Sequence, residues 1–315
     1  MPAMKLTRSL LGAAVLAMLA AACTAATASD PPDLAVPATA APSETAVRPE
    51  RTTLIAAAPL DAPDGSVTTT AVAPETTTTT VSPFVRPAWL GRRLLPLRAD
   101  GFGEVQPTPP ELIDRRLATP SLLPPPASGG FESSVGPVPP DVLARSSWTE
   151  ECPVAVADLA YVTVAHLGFD GGVHTGEMIV NARAAASMAD VFAELFAVGF
   201  PIEEMRVLSL GEIDAPPTGD GNLTSSFECR PATGSNKWSQ HAYGLAVDIN
   251  PFHNPYLKRD LVLPELASFY LDRDLALPGM VDKTVVVEAF AAIGWKWGGN
   301  WSSLKDWMHF SESGT

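Results

Sequence analysis

The stretch Ser239-Gln-His-Ala-Tyr-Gly-Leu-Ala-Val-Asp-Ile-Asn-Pro251 carries the pattern on which the interpretation of this sequence depends. His241 and Asp248 stand seven positions apart, and Gly244 between them permits a tight bend. The small and branched residues that follow predict a short strand over residues 245–250. A bend followed by a strand can bring the two side chains toward one point, where imidazole nitrogen and carboxylate oxygen could both bind zinc. Taken alone, a histidine near an aspartate is more often a plain hydrogen bond.

A second segment supplies a third ligand. Trp295-Lys-Trp-Gly-Gly-Asn-Trp301 is followed by Asp306-Trp-Met-His-Phe310, which contains His309. Asp306 comes three positions earlier and can lie beside a metal without binding it. Three protein ligands leave the fourth position of a tetrahedral zinc ion open, as in catalytic zinc sites. A nearby carboxylate can take a proton from water and return it to a leaving amine.

These motifs together resemble a known family. The order S-x-H-x-x-G-x-A-x-D-I, then W-x-W-G-G-x-W, then D-x-M-H-F is similar to that of the D-alanyl-D-alanine carboxypeptidase-like metallopeptidases, the M15 family. Within it, the sequence most resembles the branch that includes L-alanyl-D-glutamate endopeptidases. The likeness covers residues 152–310, about half of the chain. It implies an α+β domain with a small antiparallel sheet and flanking helices, shared with the hedgehog signalling domain.

The resemblance also implies roles for individual residues. His241, Asp248 and His309 match the zinc ligands of the family, and Asp306 matches its catalytic acid/base. Many members have glutamate at that position, so the shorter aspartate must lie closer to the water that it activates.

The remaining substrate contacts are less clearly marked. The family uses an upstream arginine to hold the substrate, and Arg230 is the main candidate, with Arg206 as the alternative. Ser239, Tyr243 and Trp301 are candidates for substrate binding. Ser239 could instead orient His241, and Tyr243 and Trp301 could instead belong to the core.

The sequence is therefore interpreted as a zinc peptidase that hydrolyses peptide bonds in peptidoglycan stem peptides. Whether it is a D-Ala-D-Ala carboxypeptidase or an L-Ala-D-Glu endopeptidase stays open. The alternative is a cell-wall-binding module that holds zinc without catalysis, and the presence of Asp306 favours the enzyme.

Two other hydrolase classes fit poorly. A serine triad of Ser239, His241 and Asp248 would lack the Gly-x-Ser-x-Gly elbow, which the sequence does not contain. There is no His-Glu-x-x-His motif, so a thermolysin-type zinc site is excluded. His166, His174 and His253 are expected to be structural or exposed.

The N-terminus predicts export. Lys5 and Arg8 precede an apolar run over residues 10–22, which is typical of a signal peptide and too short to span a bilayer. Residues 1–23 end in Leu-Ala-Ala-Ala-Cys23, which resembles a lipidation signal, and cleavage after residues 26–28 is the alternative. The protein is thus expected in the cell envelope, either secreted or anchored to the membrane through a lipid on Cys23.

The two remaining cysteines suit an oxidising compartment. Cys152 and Cys229 are an even pair with no CxxC partner, which favours a disulfide over free thiols or metal ligands. The two cysteines are 77 positions apart. A disulfide that closes a loop of this length would stabilise the fold by roughly 4 kcal/mol in the chain-entropy model.

Composition divides the chain into four parts. After the signal, residues 24–82 are rich in Thr, Pro and Ala with few large apolar residues, which predicts a disordered stalk. Residues 83–145 have apolar anchors interrupted by prolines and are expected to form an extended arm that packs on the domain. The compact domain should occupy residues 146–315.

Several elements of that domain can be predicted from periodicity. Strands are expected over residues 158–165, 176–180, 205–210 and 245–250, and helices over residues 181–198 and 285–293. The mixture lacks regular βαβ alternation, which favours an α+β fold.

Charge limits the partners. The formal net charge is −14, with no Lys/Arg-rich run, so nucleic-acid binding is not expected. The expected partner is a peptidoglycan peptide, the expected cofactor is Zn²⁺, and the expected state is a monomer.

Overall fold

A computed structural model of the protein describes residues 85–315. The predicted signal segment with Cys23 and the predicted stalk lie outside the described residues. Among the described residues, no helix combines the length and the apolar composition needed to cross a membrane.

The secondary structure mixes short strands with few helices. The α-helices are α1 Pro140–Ala144, α2 Ala185–Ala197, α3 Leu210–Ile213 and α4 Val285–Ala292. The strands are β1 Ser133–Pro137, β2 Leu159–Leu167, β3 Val173–Asn181, β4 Glu204–Met205, β5 Leu223–Thr224, β6 Ala246–Asp248, β7 Tyr256–Lys258, β8 Leu261–Leu263, β9 Lys296–Trp297, β10 Lys305–Asp306 and β11 His309–Ser311. Short 3-10 helices occupy Pro110–Leu112, Val156–Asp158, Gln240–Tyr243, Ser268–Leu271, Arg273–Leu275 and Gly298–Asn300.

Three small antiparallel sheets organise the chain, in the orders β1-β2-β3, β6-β11-β9 and β10-β7-β8. A short parallel pair, β4 with β5, accompanies them. Helices α2 and α4 contact each other, α2 lies on β2, and α4 contacts β9. This arrangement confirms the predicted α+β class.

The main core lies between α2, α4 and the strands beneath them. The apolar face of α2 places Met188, Phe192 and Leu195 in full burial. Phe290 of α4 stacks on Phe310 of β11 with ring centroids 4.0 Å apart. Since Phe310 directly follows His309, packing of this core also fixes the backbone that carries a predicted ligand.

One predicted strand is wrong beyond its first residue. The sequence suggested a strand over residues 205–210, but β4 ends at Met205 and Ser209 instead begins α3. Glu212 accepts hydrogen bonds from the backbone N–H and the hydroxyl of Ser209, a local cap that favours a helical turn over an extended chain.

Residues 85–145 contact the rest of the described chain through both apolar and charged groups. Leu95, Leu112 and Leu117 share a core cluster with Phe252 and Tyr270. The Arg115 side chain is 1% exposed and donates to both carboxylate oxygens of Glu203, at 2.7 Å each. A third hydrogen bond of Arg115 goes to the carbonyl of Asp220. This segment therefore supplies the cation that balances a fully buried carboxylate.

We predict that Arg115→Met destabilises the protein by about 3–5 kcal/mol, because it leaves Glu203 charged and buried without its main partner. Arg116→Met is the matched control, since Arg116 pairs with Asp114 at the surface and such pairs contribute about 0–1 kcal/mol. Urea unfolding followed by circular dichroism measures both variants. Equal effects at the two neighbouring arginines would contradict a structural role for the buried pair.

Candidate metal centre and active-site cleft

The register between β6 and β11 brings two of the three predicted ligands, Asp248 and His309, together. Asp248 is the direct cross-strand partner of His309 in this antiparallel pair. Side chains of directly opposed residues lie on the same face of a sheet, with Cβ atoms about 4.5–5.5 Å apart. The two side chains thus meet although 61 positions separate them in sequence.

His241 reaches the same point from a 3-10 helix, Gln240–Tyr243. Ser239 begins this helix and its hydroxyl accepts a hydrogen bond from the His241 backbone N–H. Gly244 ends it in the left-handed region, at φ +66°. A Cβ atom on Gly244 would lie 2.5 Å from the backbone nitrogen of Asn181, so the turn also requires glycine sterically. The bend predicted between His241 and Asp248 is present.

The three side chains converge on one small volume. His241 Nε2 lies 3.2 Å from His309 Nδ1 and 3.3 Å from Asp248 Oδ1, and the last two atoms are 3.0 Å apart. Ligands at the zinc distances of about 2.0–2.1 Å around a tetrahedron stand about 3.3 Å from one another. The spacing of the three atoms therefore fits a single small metal ion, and these residues are the one such group within residues 85–315.

The protonation of His241 is consistent with metal binding. Its Nδ1 lies 2.6 Å from the carbonyl oxygen of Ser226. A carbonyl only accepts, so Nδ1 carries a proton, and Nε2 is the atom that faces the other two side chains. This is the outer hydrogen bond that usually orients a ligating histidine.

Electrostatics in the group favour a cation. All three side chains are buried. Burial opposes the Asp248 charge, but His241 and His309 outweigh it and hold the pKa of the Asp248 carboxyl well below its usual range. Burial would lower the pKa of His241, but the Asp248 charge raises it to about 9. The negative field that draws a proton to His241 would equally attract a metal ion.

Two further atoms at this site lack partners. Within residues 85–315, three buried side-chain polar atoms have no hydrogen-bond partner. Two of them are His309 Nε2 and Asp306 Oδ1. Orphaned buried polar atoms are rare in native structures, and a missing ion, water or ligand is a common reason. Burial also raises the pKa of the Asp306 carboxyl to about 7, so it could exchange a proton near neutral pH.

Arg230 lies at the same cleft and is held from behind. Its Nε donates to Glu228 Oε2 at 2.6 Å, and Glu228 Oε1 accepts from the Ser225 hydroxyl at 2.7 Å. The neighbouring Cys229 forms the predicted disulfide with Cys152. The backbone before Arg230 is thus anchored covalently, and its guanidinium is oriented by a buried carboxylate.

Arg206 lies elsewhere. It pairs with Glu204 and Glu212 and lines a different surface depression, away from the three ligand side chains. Of the two arginines proposed from sequence, only Arg230 lines the cleft.

A cavity of about 310 Å³ opens over the group. Ser239 and Trp301 line it, as do the three ligand residues and Asp306. The Trp301 ring centroid lies 5.5 Å from that of His309. No residue of the described arm, residues 85–145, lines this cavity.

Of the candidates for substrate binding, Tyr243 is the one that lies outside the cavity. It instead packs, partly buried, against the main core. Three residues make one turn of a 3-10 helix, so residues two positions apart point in different directions. With His241 facing the cleft, Tyr243 faces the interior.

Sequence reasoning missed Glu228 and Trp238. The carboxylate of Glu228 orients Arg230, and its place two positions before the arginine is the signal that could have indicated it. Trp238 is 40% exposed and lines the cleft. A large apolar residue directly before Ser239 was visible in the sequence, but exposure was not.

A buried His-Asp-His group, an adjacent unpaired carboxylate and an oriented arginine in an open cleft are the parts of a metal-dependent hydrolase. Residues 233–312 match the family model described as D-alanyl-D-alanine carboxypeptidase, about a quarter of the chain. This match confirms the predicted resemblance to the M15 peptidases over the matched segment, which contains the three ligand residues and Asp306. Comparisons with curated proteins and with solved structures found no match.

We predict that Gly244→Ala destabilises the protein by several kcal/mol and reduces metal binding. The variant forces a positive φ, which costs about 1–2 kcal/mol, and also drives a methyl group into the backbone at Asn181. Gly294→Ala is the matched control, because Gly294 has φ +83° but open space around it, and it should cost only the first amount. Urea unfolding and metal content by mass spectrometry test this. Similar losses in both variants would show that the steric contact at Gly244 is unimportant.

Proposed function

We propose that this protein is a zinc-dependent hydrolase that cleaves peptide bonds in the stem peptides of peptidoglycan. The observation that carries the proposal is the convergence of His241, Asp248 and His309 at mutual distances of 3.0–3.3 Å beside the unpartnered Asp306. The match of residues 233–312 to a peptidase family model directs this chemistry toward an amide bond.

Zinc is the metal that the ligand set suits best. Two imidazole nitrogens and one carboxylate oxygen are typical zinc ligands, whereas Ca²⁺ and Mg²⁺ prefer oxygen ligands in larger number. A bound zinc ion would polarise the substrate carbonyl and acidify a water molecule at its open position.

Asp306 is assigned the proton transfers. Its Oδ1 lies at the cleft with no hydrogen-bond partner among the described residues, so it is free to accept a proton from the attacking water. The same carboxyl can then donate that proton to the nitrogen of the leaving group. A general acid/base in this position contributes about 10²–10⁴-fold to the rate.

Arg230 is assigned to the substrate oxygen. Glu228 binds the Nε side of its guanidinium, which fixes the plane of the group at the cleft. Its remaining N–H groups can donate to a carbonyl or carboxylate of the substrate, where negative charge develops during attack. Such preorganised donors often supply several kcal/mol of transition-state stabilisation.

The proposed location follows from the N-terminal residues. A signal peptide over residues 1–23 would export the chain to the compartment that holds peptidoglycan, either secreted or lipid-anchored at Cys23. The partner proposed there is a peptidoglycan peptide, and the acting species is a monomer.

We predict that the purified full chain releases peptide fragments from peptidoglycan and from synthetic stem peptides, as read by mass spectrometry. Asp306→Asn should keep stoichiometric zinc and lose at least about 10²-fold in rate, because it removes the proton acceptor and not a ligand. His241→Ala and His309→Ala should lose both zinc and activity. His174→Ala is the control, since His174 lies outside the cleft, and it should keep both.

The products identify the bond. Loss of a terminal D-Ala would indicate a carboxypeptidase, and a cut after L-Ala would indicate an endopeptidase, provided that chelation abolishes either one. A folded, zinc-loaded protein that binds peptidoglycan and yields no product would overturn the proposal in favour of a non-catalytic binding module.

We further predict that Arg230→Lys lowers kcat by about 10–10³-fold with folding intact. Lysine keeps the charge, but it cannot hold the Glu228 carboxylate and point a second N–H at the substrate at the same time. Arg206→Lys is the control and should leave kcat unchanged, because Arg206 pairs with Glu204 and Glu212 outside the cleft. The reverse order of effects would transfer the substrate-binding role to Arg206.

A further inference from the structure

A second cavity adjoins the one over the metal-binding group. It has a volume of about 370 Å³ and shares Arg230, Asp248, Tyr256 and Asp306 with the first cavity. Arg230, Asp248 and Asp306 therefore lie on the boundary between the two cavities. A substrate peptide held across that boundary would have chain on both sides of the bond at Asp306.

The two cavities differ in chemistry. The first has Lys237 and Lys258 in its wall, together with Trp238 and Trp301. Two glycines and the carboxylate of Glu265 line only the second cavity, together with six apolar residues: Phe102, Pro217, Pro251, Leu263, Pro264 and Met308. Burial of an aliphatic side chain against the apolar wall of the second cavity would be favourable. The lysines of the first cavity would instead attract carboxylates.

Phe102 comes from the arm, outside the segment that matches the family model. It is half-buried and packs against the cluster of Tyr256, Leu261 and Met308. Phe102 is thus supported by residues of β7, of β8 and of the segment after Asp306, and it also lines the second cavity.

Phe102 lies in a short hairpin, residues 97–103, which is closed by a bridge between Leu97 and Gly103 and is held at both ends. The Arg98 backbone N–H donates to the Phe102 carbonyl at 2.7 Å, and the Arg98 side chain reaches Asp260 at 3.0 Å. The N–H of Gly103 donates to the buried carboxylate of Glu265 at 2.8 Å. These contacts tie the hairpin to the turn between β7 and β8 and to the chain after β8, so Phe102 is placed in the wall by several independent bonds.

We propose that Phe102 forms part of a substrate subsite that binds an aliphatic side chain on one side of the cleaved bond, and so determines specificity. In this arrangement the peptide crosses the boundary at Asp306, with its aliphatic residue against Phe102 and its acidic residues toward Lys237 and Lys258. The cleft then accepts a bond inside a chain rather than only a terminal one. This inference rests on the proposed peptidase function and adds a binding residue from the arm to it.

The test compares wild type, Phe102→Ala, Phe102→Leu and Leu97→Ala in the full chain. Leu97 lies in the same hairpin, is 59% exposed and does not line either cavity, so it controls for disturbance of the hairpin. Once the cut bond is known, three synthetic peptides that keep it are used. One carries the natural aliphatic residue, one carries glycine there, and one lacks the residues on that side.

Phe102→Ala should raise KM about tenfold for the aliphatic peptide and leave the other two peptides within about twofold. Phe102→Leu should restore most of the affinity, and Leu97→Ala should match wild type. An equal change for all three peptides, or none for any, would overturn the subsite. Thermal unfolding of each variant separates loss of the subsite from loss of the fold, and Phe102→Leu keeps the comparison valid if the alanine variant is unfolded.

A binding measurement separates this inference from the proposed function. Calorimetric titration of the same peptides into Asp306→Asn and into Asp306→Asn/Phe102→Ala requires no turnover. Weaker binding of the aliphatic peptide alone in the double variant would support the subsite even if wild type cleaves nothing. Identical binding by both variants would overturn the subsite even if wild type is an active peptidase.

Discussion

The antiparallel pairing of β6 with β11 sets Asp248 opposite His309, and the geometry of the site depends on that register. Because side chains alternate between the faces of a strand, a slip of one residue would turn one ligand away from the other. Two neighbouring contacts resist such a slip. Phe310 stacks in the main core on Phe290, and the Asp248 backbone bonds to Ser225 in both directions. The register of the ligands is therefore fixed by apolar packing and by backbone hydrogen bonds, neither of which takes part in the proposed chemistry.

Burying the ligand side chains together carries an electrostatic cost, which neighbouring polar and charged groups offset. A carboxylate and two imidazoles are buried together, and a second carboxylate, Glu228, lies behind them. Arg230 neutralises Glu228, and the Ser226 carbonyl accepts a hydrogen bond from His241 Nδ1, so the His241 ring is oriented before a metal binds. The group thus presents a preorganised negative site, in which the remaining unbalanced charge favours binding of a cation.

The local parts of this site could be predicted from sequence, and the non-local parts could not. The bend at Gly244 and the strand before Asn250 follow from residue types at short spacing, whereas the ligand set came from the order of motifs shared with a known family. The side chain of Tyr243 could not be placed because spacing alone did not show that its segment is a 3-10 helix. The strand predicted after Met205 failed for a similar reason, since the cap of Ser209 by Glu212 outweighs the alternating apolar pattern. The pairing of Arg115 with Glu203 joins residues 88 positions apart, and nothing in the pattern of either segment indicates it.

The pairing of Arg115 with Glu203 shows that the folded unit around the candidate site extends beyond the segment that matches the family model. The segment that matches the family model begins at residue 233, yet Glu203 and its cation Arg115 both lie before it. His253, inside the segment, belongs to the same network, since its Nε2 donates to the Arg115 carbonyl and its Nδ1 accepts from the Asn222 side-chain amide. A fragment that starts at residue 146 would keep the ligands and Asp306 but would leave Glu203 buried without its main partner, at a cost comparable to the stability of a whole domain. It would also lack Phe102. The arm is therefore better regarded as part of the folded catalytic unit than as a linker to it.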